Sequence, residues 1–211
     1  MTTELSTGSR ITALTAPVSA TDIDEAARRI SGVVTQSPLQ LCERLSVGDR
    51  VLLSGVLYTG RDAAHHRLCD AAVRGEPLPF PVQGAVIFYA GPAPAKPGAV
   101  TGSIGPTTSY RMDPFAPRLM ALGLKGMIGK GRRSPEVVSA MKQYKAVYFG
   151  AIGGIVALTA RCIRESAVVA YEDLGPEAIF RLVVFELPLV VINDTKGRDL
   201  YDEALKTYSR T

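Results

Sequence analysis

The chain has 211 residues, of which 46% are hydrophobic and 21% are charged, so it can bury a core as one globular domain. Its net charge of +4 includes no run of five basic residues, and Trp is absent, which argues against nucleic-acid binding. The apolar, uncharged run between Lys145 and Arg161 is shorter than a membrane span and contains three glycines, so no membrane segment is predicted there.

The first 20 residues are rich in Thr and Ser and lack the pattern of a signal peptide. We therefore expect a cytoplasmic protein in which 1–20 is a loose tail or an added strand, and 21–211 is a single domain. The three cysteines, Cys42, Cys69 and Cys162, are far apart and show no CxxC spacing. We expect reduced, buried thiols, with no disulfide and no metal site on this chain.

Hydrophobic patterns and capping residues predict strands that alternate with helices along the chain. The predicted strands span 51–58, 85–90, 126–129, 146–149, 167–171, 182–185 and 189–192. The predicted helices span 21–30, 61–74, 114–122, 134–143, 155–164 and 199–208. This alternation predicts an α/β fold.

The segment TGRDAAH at 59–65 joins a predicted strand to a predicted helix. Backbone N–H groups at a helix N-terminus suit an anion. Arg61 would lie at this N-terminus, and His65 would lie one helical turn further on. A second interpretation stays open, in which Asp62 caps the helix while Arg61 and His65 are surface residues.

Three further loops carry groups that suit an anionic ligand. The segment GPTTSYRMD at 105–113 combines a Gly-Pro turn, the hydroxyls of Thr107 and Thr108, and the planar fork of Arg111. Lys130 lies between two glycines, which allow a ligand to approach closely, although no P-loop is present. Lys96, in the proline-rich loop 91–98, is either an anion contact or part of a rigid connection.

Taken together, the cations of these loops favour a dicarboxylate over a neutral ligand. The only two histidines are adjacent at positions 65 and 66, so a Ser-His-Asp triad is poorly supported.

Five segments, in this order, resemble the β region of the iron–sulfur hydro-lyases, a family that includes the class I fumarases and L-tartrate dehydratase. They are TGRDAAHHR, YAGPAPAKPG, GPTTSYRMD, GKG and VVAYEDLGPEAI. The similarity runs from about 45 to 201 and is to the separate β subunit, or to the C-terminal domain of single-chain class I fumarases. Residues 1–44 lie outside it.

The resemblance implies a swivelling β/β/α domain that takes part in hydration or dehydration of a four-carbon dicarboxylate. The favoured reaction is fumarate to (S)-malate, as in the tricarboxylic acid cycle, and L-tartrate to oxaloacetate is the alternative. The resemblance also implies that Arg61, Arg111 and Lys130 bind the substrate. Thr107 matches the family's proposed proton-abstracting threonine, which acts with an aspartate of the complementary α subunit. His65 fits the motif without an assigned role.

The family also implies an α subunit that carries an oxygen-sensitive 4Fe–4S cluster on three cysteines, so this chain alone would bind no cofactor. We therefore expect a hetero-oligomer with two-fold symmetry. Tyr110 stands where small residues are common in the fumarase motif, and we expect it to influence substrate choice. An alternative of a different class is a non-catalytic dicarboxylate-binding or interaction domain.

Overall fold

Strands and helices alternate as the hydrophobic pattern predicts, which confirms the α/β class. The computed structural model describes residues 2–4, 10–14, 42–151 and 156–208. The strands are β1 Thr2–Glu4, β2 Arg10–Leu14, β3 Arg50–Thr59, β4 Val86–Phe88, β5 Gly126–Gly129, β6 Val147–Ala151, β7 Ile163–Ala170 and β8 Ile179–Asn193. The α-helices are α1 Asp62–Val73, α2 Ala116–Ala121, α3 Pro135–Tyr144, α4 Val156–Cys162 and α5 Leu200–Tyr208, and short 3-10 helices span Ser109–Met112 and Glu172–Glu177.

Five of the strands close into a small barrel. β3, β4, β5 and β6 pair in parallel, and β8 runs antiparallel to both β6 and β3, which completes the ring. The helices α1, α2 and α3 lie in the three parallel crossovers. Because parallel strands share one direction, the loops that follow β3, β4 and β5 emerge at the same rim of the barrel.

Alternation of side chains along the strands separates two cores. In β4, Val86 and Phe88 belong to the interior cluster, whereas Ile87 and the following Tyr89 pack on the helices. The interior cluster includes Val51, Leu53, Leu57, Val86, Phe88, Ile128, Val147, Phe149, Leu182, Val184, Leu187, Leu189 and Val191. The outer cluster includes Ala64, Leu68, Ile87, Tyr89, Leu119, Met127, Val137, Met141 and Tyr148. Strands buried on both faces explain the nearly continuous apolar runs of the sequence.

The strand β8 differs from the prediction. The sequence predicts two strands, at 182–185 and 189–192, but the structure has one strand of 15 residues that runs through Pro188. Along one side of β8, pairing with β7 ends at Val184 and pairing with β6 begins at Leu189. Pro188 therefore has no neighbouring strand on that side, and its missing N–H is tolerated. Glu186, with φ 53, marks the adjacent irregularity in pairing with β3.

Other boundaries in the structure also differ from the predicted ones. The strand predicted at 167–171 begins earlier, at Ile163, and the helix predicted at 155–164 ends at Cys162. β2 pairs with β3, and β1 pairs with β2, so both extend the edge of the sheet. The helix predicted at 21–30 lies outside the described residues. No helix within the described ranges is long and apolar enough to cross a bilayer.

The ends of α3 allow a test of local strain. Ser134 caps its start by accepting a hydrogen bond from Val137 N–H, and Lys145 ends it in the left-handed region, at φ 55 and ψ 48. Only glycine adopts this conformation without steric cost. Lys145→Gly should therefore raise the free energy of unfolding by about 0.5–1 kcal/mol in urea denaturation.

The matched control is Lys142→Gly, within the last turn of the same helix. This change should lower the free energy of unfolding by about 1 kcal/mol, because glycine is a poor residue inside a helix. Equal losses of stability in the two variants would show that the backbone at Lys145 carries no strain.

Candidate functional site

Backbone hydrogen bonds bring the hydroxyl-rich loop and the lysine loop together at the barrel rim. Ser109 N–H donates to the Lys130 carbonyl at 2.9 Å, and Lys130 N–H donates to the Thr107 carbonyl at 3.4 Å. Thr108 and Lys130 thus form an isolated parallel bridge. Thr107 N–H also donates to the carbonyl of Tyr89, just beyond β4, at 2.6 Å. Segments 105–113 and 129–131, separated in sequence by α2 and β5, are therefore direct neighbours.

An ion pair joins the start of α1 to the same rim. Arg111 Nη2 donates to Asp62 Oδ2 at 2.7 Å, and Arg61 Nη2 lies 3.0 Å from Glu177 Oε1. Lys130 is exposed, and its side chain forms no hydrogen bond or ion pair with any described residue. The structure therefore brings together three predicted segments, with both arginines already paired to carboxylates of the chain.

Gly129 permits the close approach of the hydroxyl-rich loop. A Cβ at Gly129 would lie 2.0 Å from Ser109 Oγ and 2.9 Å from Tyr89 Cδ2, far inside normal contact distance. Tyr148 donates its hydroxyl hydrogen to the Gly131 carbonyl at 3.0 Å, so Ser109 Oγ must be the donor in its 2.8 Å bond to Tyr148. Burial raises the pKa of Tyr148, which keeps this donor protonated.

A buried ion pair beneath the rim was missed from the sequence. Arg133 Nε donates to Asp113 Oδ1 at 2.7 Å, and its guanidinium lies 5.2 Å and 5.0 Å from the ring centroids of Tyr89 and Tyr148. The other carboxylate oxygen of Asp113 accepts a hydrogen bond from Ser134 N–H at 2.8 Å. The sequence does not indicate this pair, because nothing local reveals that the partner of Arg133 lies twenty residues earlier.

His65 is buried, so its interpretation as a surface residue is wrong. Its Nδ1–H donates to the Arg61 carbonyl at 2.9 Å, and its ring meets Tyr89 edge-on at 5.3 Å. Burial lowers the pKa of His65 to about 4, although the bond to Arg61 and the charge of Asp62 oppose this shift. The imidazole is therefore neutral near pH 7 and supports the backbone of Arg61.

Asp62 does not cap α1. The N-cap position belongs to Arg61 and has no side-chain cap, whereas the Asp62 carboxylate pairs with Arg111. Lys96 lies on an exposed turn, where its carbonyl accepts a hydrogen bond from Ala99 N–H at 2.9 Å. Its side chain forms no hydrogen bond or ion pair within the part of the chain that the structure describes. Tyr110 is 65% exposed, so its ring lies at the surface beside Arg111.

The cysteines do not form a metal or cluster site. All three are buried, and each thiol donates to a different backbone carbonyl, those of Lys125, Phe115 and Glu186 for Cys42, Cys69 and Cys162. Burial raises the pKa of Cys42 to about 12, so it is a thiol and not a thiolate. An iron–sulfur cluster needs converging thiolates, and these residues do not fit one. No group of three His, Cys, Asp or Glu in the described ranges could hold a metal ion.

The neutral state of His65 predicts a specific loss of stability in acid. A histidine in the unfolded chain binds its proton near pH 6.5, whereas folded His65 does so only near pH 4. The stability that neutral His65 contributes is therefore complete above about pH 6.5 and is lost progressively as the pH falls from 6.5 to about 4, by about 3 kcal/mol in total. Urea unfolding at pH 7 and pH 4.5 should show this loss in the wild type and a smaller one in His65→Gln. Equal losses of unfolding free energy in the wild type and in His65→Gln would refute this prediction.

The contact at Gly129 predicts a strong effect of one methyl group. Gly129→Ala should lower the free energy of unfolding by about 2–4 kcal/mol, because the new Cβ overlaps Ser109 and Tyr89. Adding Ser109→Ala removes the hydroxyl of the shortest contact, so the double variant should be less unstable than the sum of the two single variants. If the losses of stability of the two single variants simply add in the double variant, as measured by thermal unfolding, this contact is contradicted.

Comparison with known proteins identifies a family and several relatives. The family described as Fumarase C-terminus matches residues 11–204. The "Fumarate hydratase class I, aerobic" of Escherichia coli (strain K12) is 39% identical over 159 residues, which are 74% of this chain and 29% of that protein. "Fumarate hydratase 2" of Leishmania major is 37% identical over 168 residues, or 79% of this chain and 30% of that protein. This chain thus spans less than a third of these fumarate hydratases.

A different relative matches along most of its length. The "Putative L(+)-tartrate dehydratase subunit beta" of Methanocaldococcus jannaschii is 37% identical over 170 residues. The match covers 78% of this chain and 87% of that protein. The chain is therefore similar both to one part of large fumarate hydratases and to most of a protein named as a β subunit.

Proposed function

Because the chain belongs to the Fumarase C-terminus family, we propose that it is the β subunit of a cytoplasmic hydro-lyase that acts on a four-carbon dicarboxylate. The favoured reaction is the reversible hydration of fumarate to (S)-malate. One observation carries the proposal: the segments that contain Arg61, Thr107, Arg111 and Lys130 meet at one rim of the barrel.

The charges of the site support a dianionic substrate and a second chain. Arg61 and Arg111 are paired with the carboxylates of Glu177 and Asp62, whereas Lys130 has no such partner among the described residues, which leaves one net positive charge in this chain's share of the site. Fumarate, malate and tartrate each carry two negative charges, so these groups alone do not neutralise them. In our proposal, Arg61, Arg111 and Lys130 bind the substrate carboxylates, and the remaining compensation comes from the partner.

Thr107 is the proposed proton-transfer residue. Its backbone is fixed on both sides, by the Tyr89 carbonyl and by Lys130 N–H. Its hydroxyl forms no hydrogen bond within the described residues, and a lone threonine hydroxyl is a poor base. We therefore propose that a carboxylate of the α subunit accepts the proton that Thr107 takes from the substrate carbon during dehydration.

The proposed partner is an α subunit that holds the 4Fe–4S cluster. The thiols of this chain do not fit that cluster, which supports its location on another chain. The match to 87% of a protein named as a β subunit supports a separately encoded pair. We propose a two-fold symmetric hetero-oligomer in which the barrel rim closes over the α subunit.

L-Tartrate dehydration is the second candidate, favoured by the length of the match to the protein named as a tartrate dehydratase subunit. Both substrates are dianions, so the same cations serve either. The rates of fumarate hydration and L-tartrate dehydration, measured on one anaerobic preparation of the reconstituted pair, decide between them. We propose that Tyr110, which is exposed beside Arg111, influences the choice between these two substrates.

Reconstitution with a cysteine-bearing α subunit under anaerobic conditions tests the proposal. Wild-type chain should restore hydro-lyase turnover, and Thr107→Ala should reduce kcat by about 10²–10⁴-fold because a proton-transfer group is lost. Thr107→Ser keeps the hydroxyl and should retain part of the activity. Thermal unfolding of the isolated variants should match the wild type, because the hydroxyl forms no hydrogen bond among the described residues.

Two outcomes would overturn these assignments. Full activity of Thr107→Ala would remove the threonine from the mechanism and leave the reaction class intact. Failure to form a complex with any α subunit, together with dicarboxylate binding by the chain alone, would instead favour the non-catalytic binding domain.

A further inference from the structure

Two carboxylates of this chain already occupy the arginines that we assign to the substrate. Arg61 Nη2 lies 3.0 Å from Glu177 Oε1, and Arg111 Nη2 lies 2.7 Å from Asp62 Oδ2. The four side chains are between 25% and 40% exposed, so both pairs lie where an incoming anion can reach them. A substrate carboxylate that binds either arginine must therefore displace an internal carboxylate or bind beside it.

Glu177 is held over Arg61 by the backbone around it. Gly175, just before it, has φ 55 and ψ −120, which turns the chain sharply within the 3-10 helix. A Cβ on Gly91 would lie only 2.2 Å from the Pro176 carbonyl oxygen and 3.5 Å from Arg61 Cδ. The segment before Glu177 therefore packs directly on the loop after β4, beside the Arg61 side chain.

Both ion pairs leave hydrogen-bonding capacity unused. Arg61 Nε and Asp62 Oδ1 are buried, and neither has a hydrogen-bond partner among the described residues. A guanidinium has five N–H donors, and a carboxylate offers about four acceptor positions, so one bond satisfies only a fraction of either group. The pairs thus orient the arginines without saturating them.

We propose that Glu177 and Asp62 are positioning residues: they are internal counter-ions that orient Arg61 and Arg111 and weaken the binding of anions other than the substrate. The inference rests on the proposed function, because it takes the two arginines as substrate ligands. Without Glu177, the site gains a positive charge and a less constrained guanidinium. Small anions would then bind more tightly, and the substrate would be aligned less well for reaction.

A neighbouring ion pair separates this role from a purely structural one. Asp173 lies in the same 3-10 helix and binds Arg67 of α1 through two bonds, at 2.8 Å and 2.5 Å. Arg67 lines a different surface cavity, together with Tyr171. Asp173→Asn therefore removes another ion pair of the same 3-10 helix, one that binds it to α1, without touching the candidate site. A merely structural role for Glu177 predicts that Glu177→Gln and Asp173→Asn behave alike.

The experiment compares these variants in the reconstituted pair, measuring kcat, KM and the inhibition constant of inorganic sulfate. Glu177→Gln should lower kcat about tenfold through misalignment of Arg61. It should also make sulfate about a fivefold stronger inhibitor, because a surface carboxylate no longer competes for the arginine. Glu177→Asp keeps the charge and should keep the wild-type sulfate inhibition, and Asp173→Asn should change neither quantity.

The outcomes distinguish this inference from the proposed function. Equal effects of Glu177→Gln and Asp173→Asn, or weaker sulfate inhibition in Glu177→Gln, would overturn the counter-ion role. If the wild-type pair has no hydro-lyase activity, the proposed function fails. In that case, calorimetry of sulfate binding to the chain alone still tests the counter-ion role. Tighter sulfate binding by Glu177→Gln than by the wild type supports the role, and unchanged or weaker binding refutes it.

Discussion

The geometry of the barrel rim depends on the buried ion pair between Arg133 and Asp113. The Arg133 side chain has no exposed surface, and the Asp113 side chain is 11% exposed. Charges removed from water in this way are tolerated only as a pair, and loss of one partner leaves the other uncompensated, at a cost of about 3–5 kcal/mol. Asp113 ends the loop that contains Thr107, and Arg133 closely follows Lys130. This ion pair therefore fixes the distance between the Thr107 loop and the Lys130 loop.

The closed barrel explains why the candidate site lies at this rim. Parallel pairing of β3, β4 and β5 aligns their carboxyl ends, and loops held by a rigid sheet are common positions for binding groups. The helices pack on the outer face, and apolar side chains fill the interior. The scaffold therefore leaves the rim as the place where Thr107, Arg111 and Lys130 can reach a ligand, and glycines such as Gly129 let the loops touch.

Local sequence signals predicted much of this arrangement, and long-range contacts account for what was missed. β3 and α1 lie within about one residue of their predicted bounds, because the signals that set them are local: an apolar run followed by Thr-Gly, and a glycine at position 75 just after the end of the helix. Burial of His65 and the pairing of Arg61 with Glu177 depend on residues brought together only by the fold. The sequence could indicate which loops carry charge, but not which carboxylate each arginine would meet.

The pairing of β8 with β3 also has a consequence for the order of folding. Val51 and Leu189 are partners across this closing seam, although nearly the whole domain separates them in sequence. Contacts of such high sequence separation bring a large loop-closure entropy and slow the folding rate. During synthesis, β3 to β6 emerge from the ribosome before β8 does, so their apolar interior stays uncovered for that interval. A nascent chain must therefore await its last strand before it is protected from aggregation.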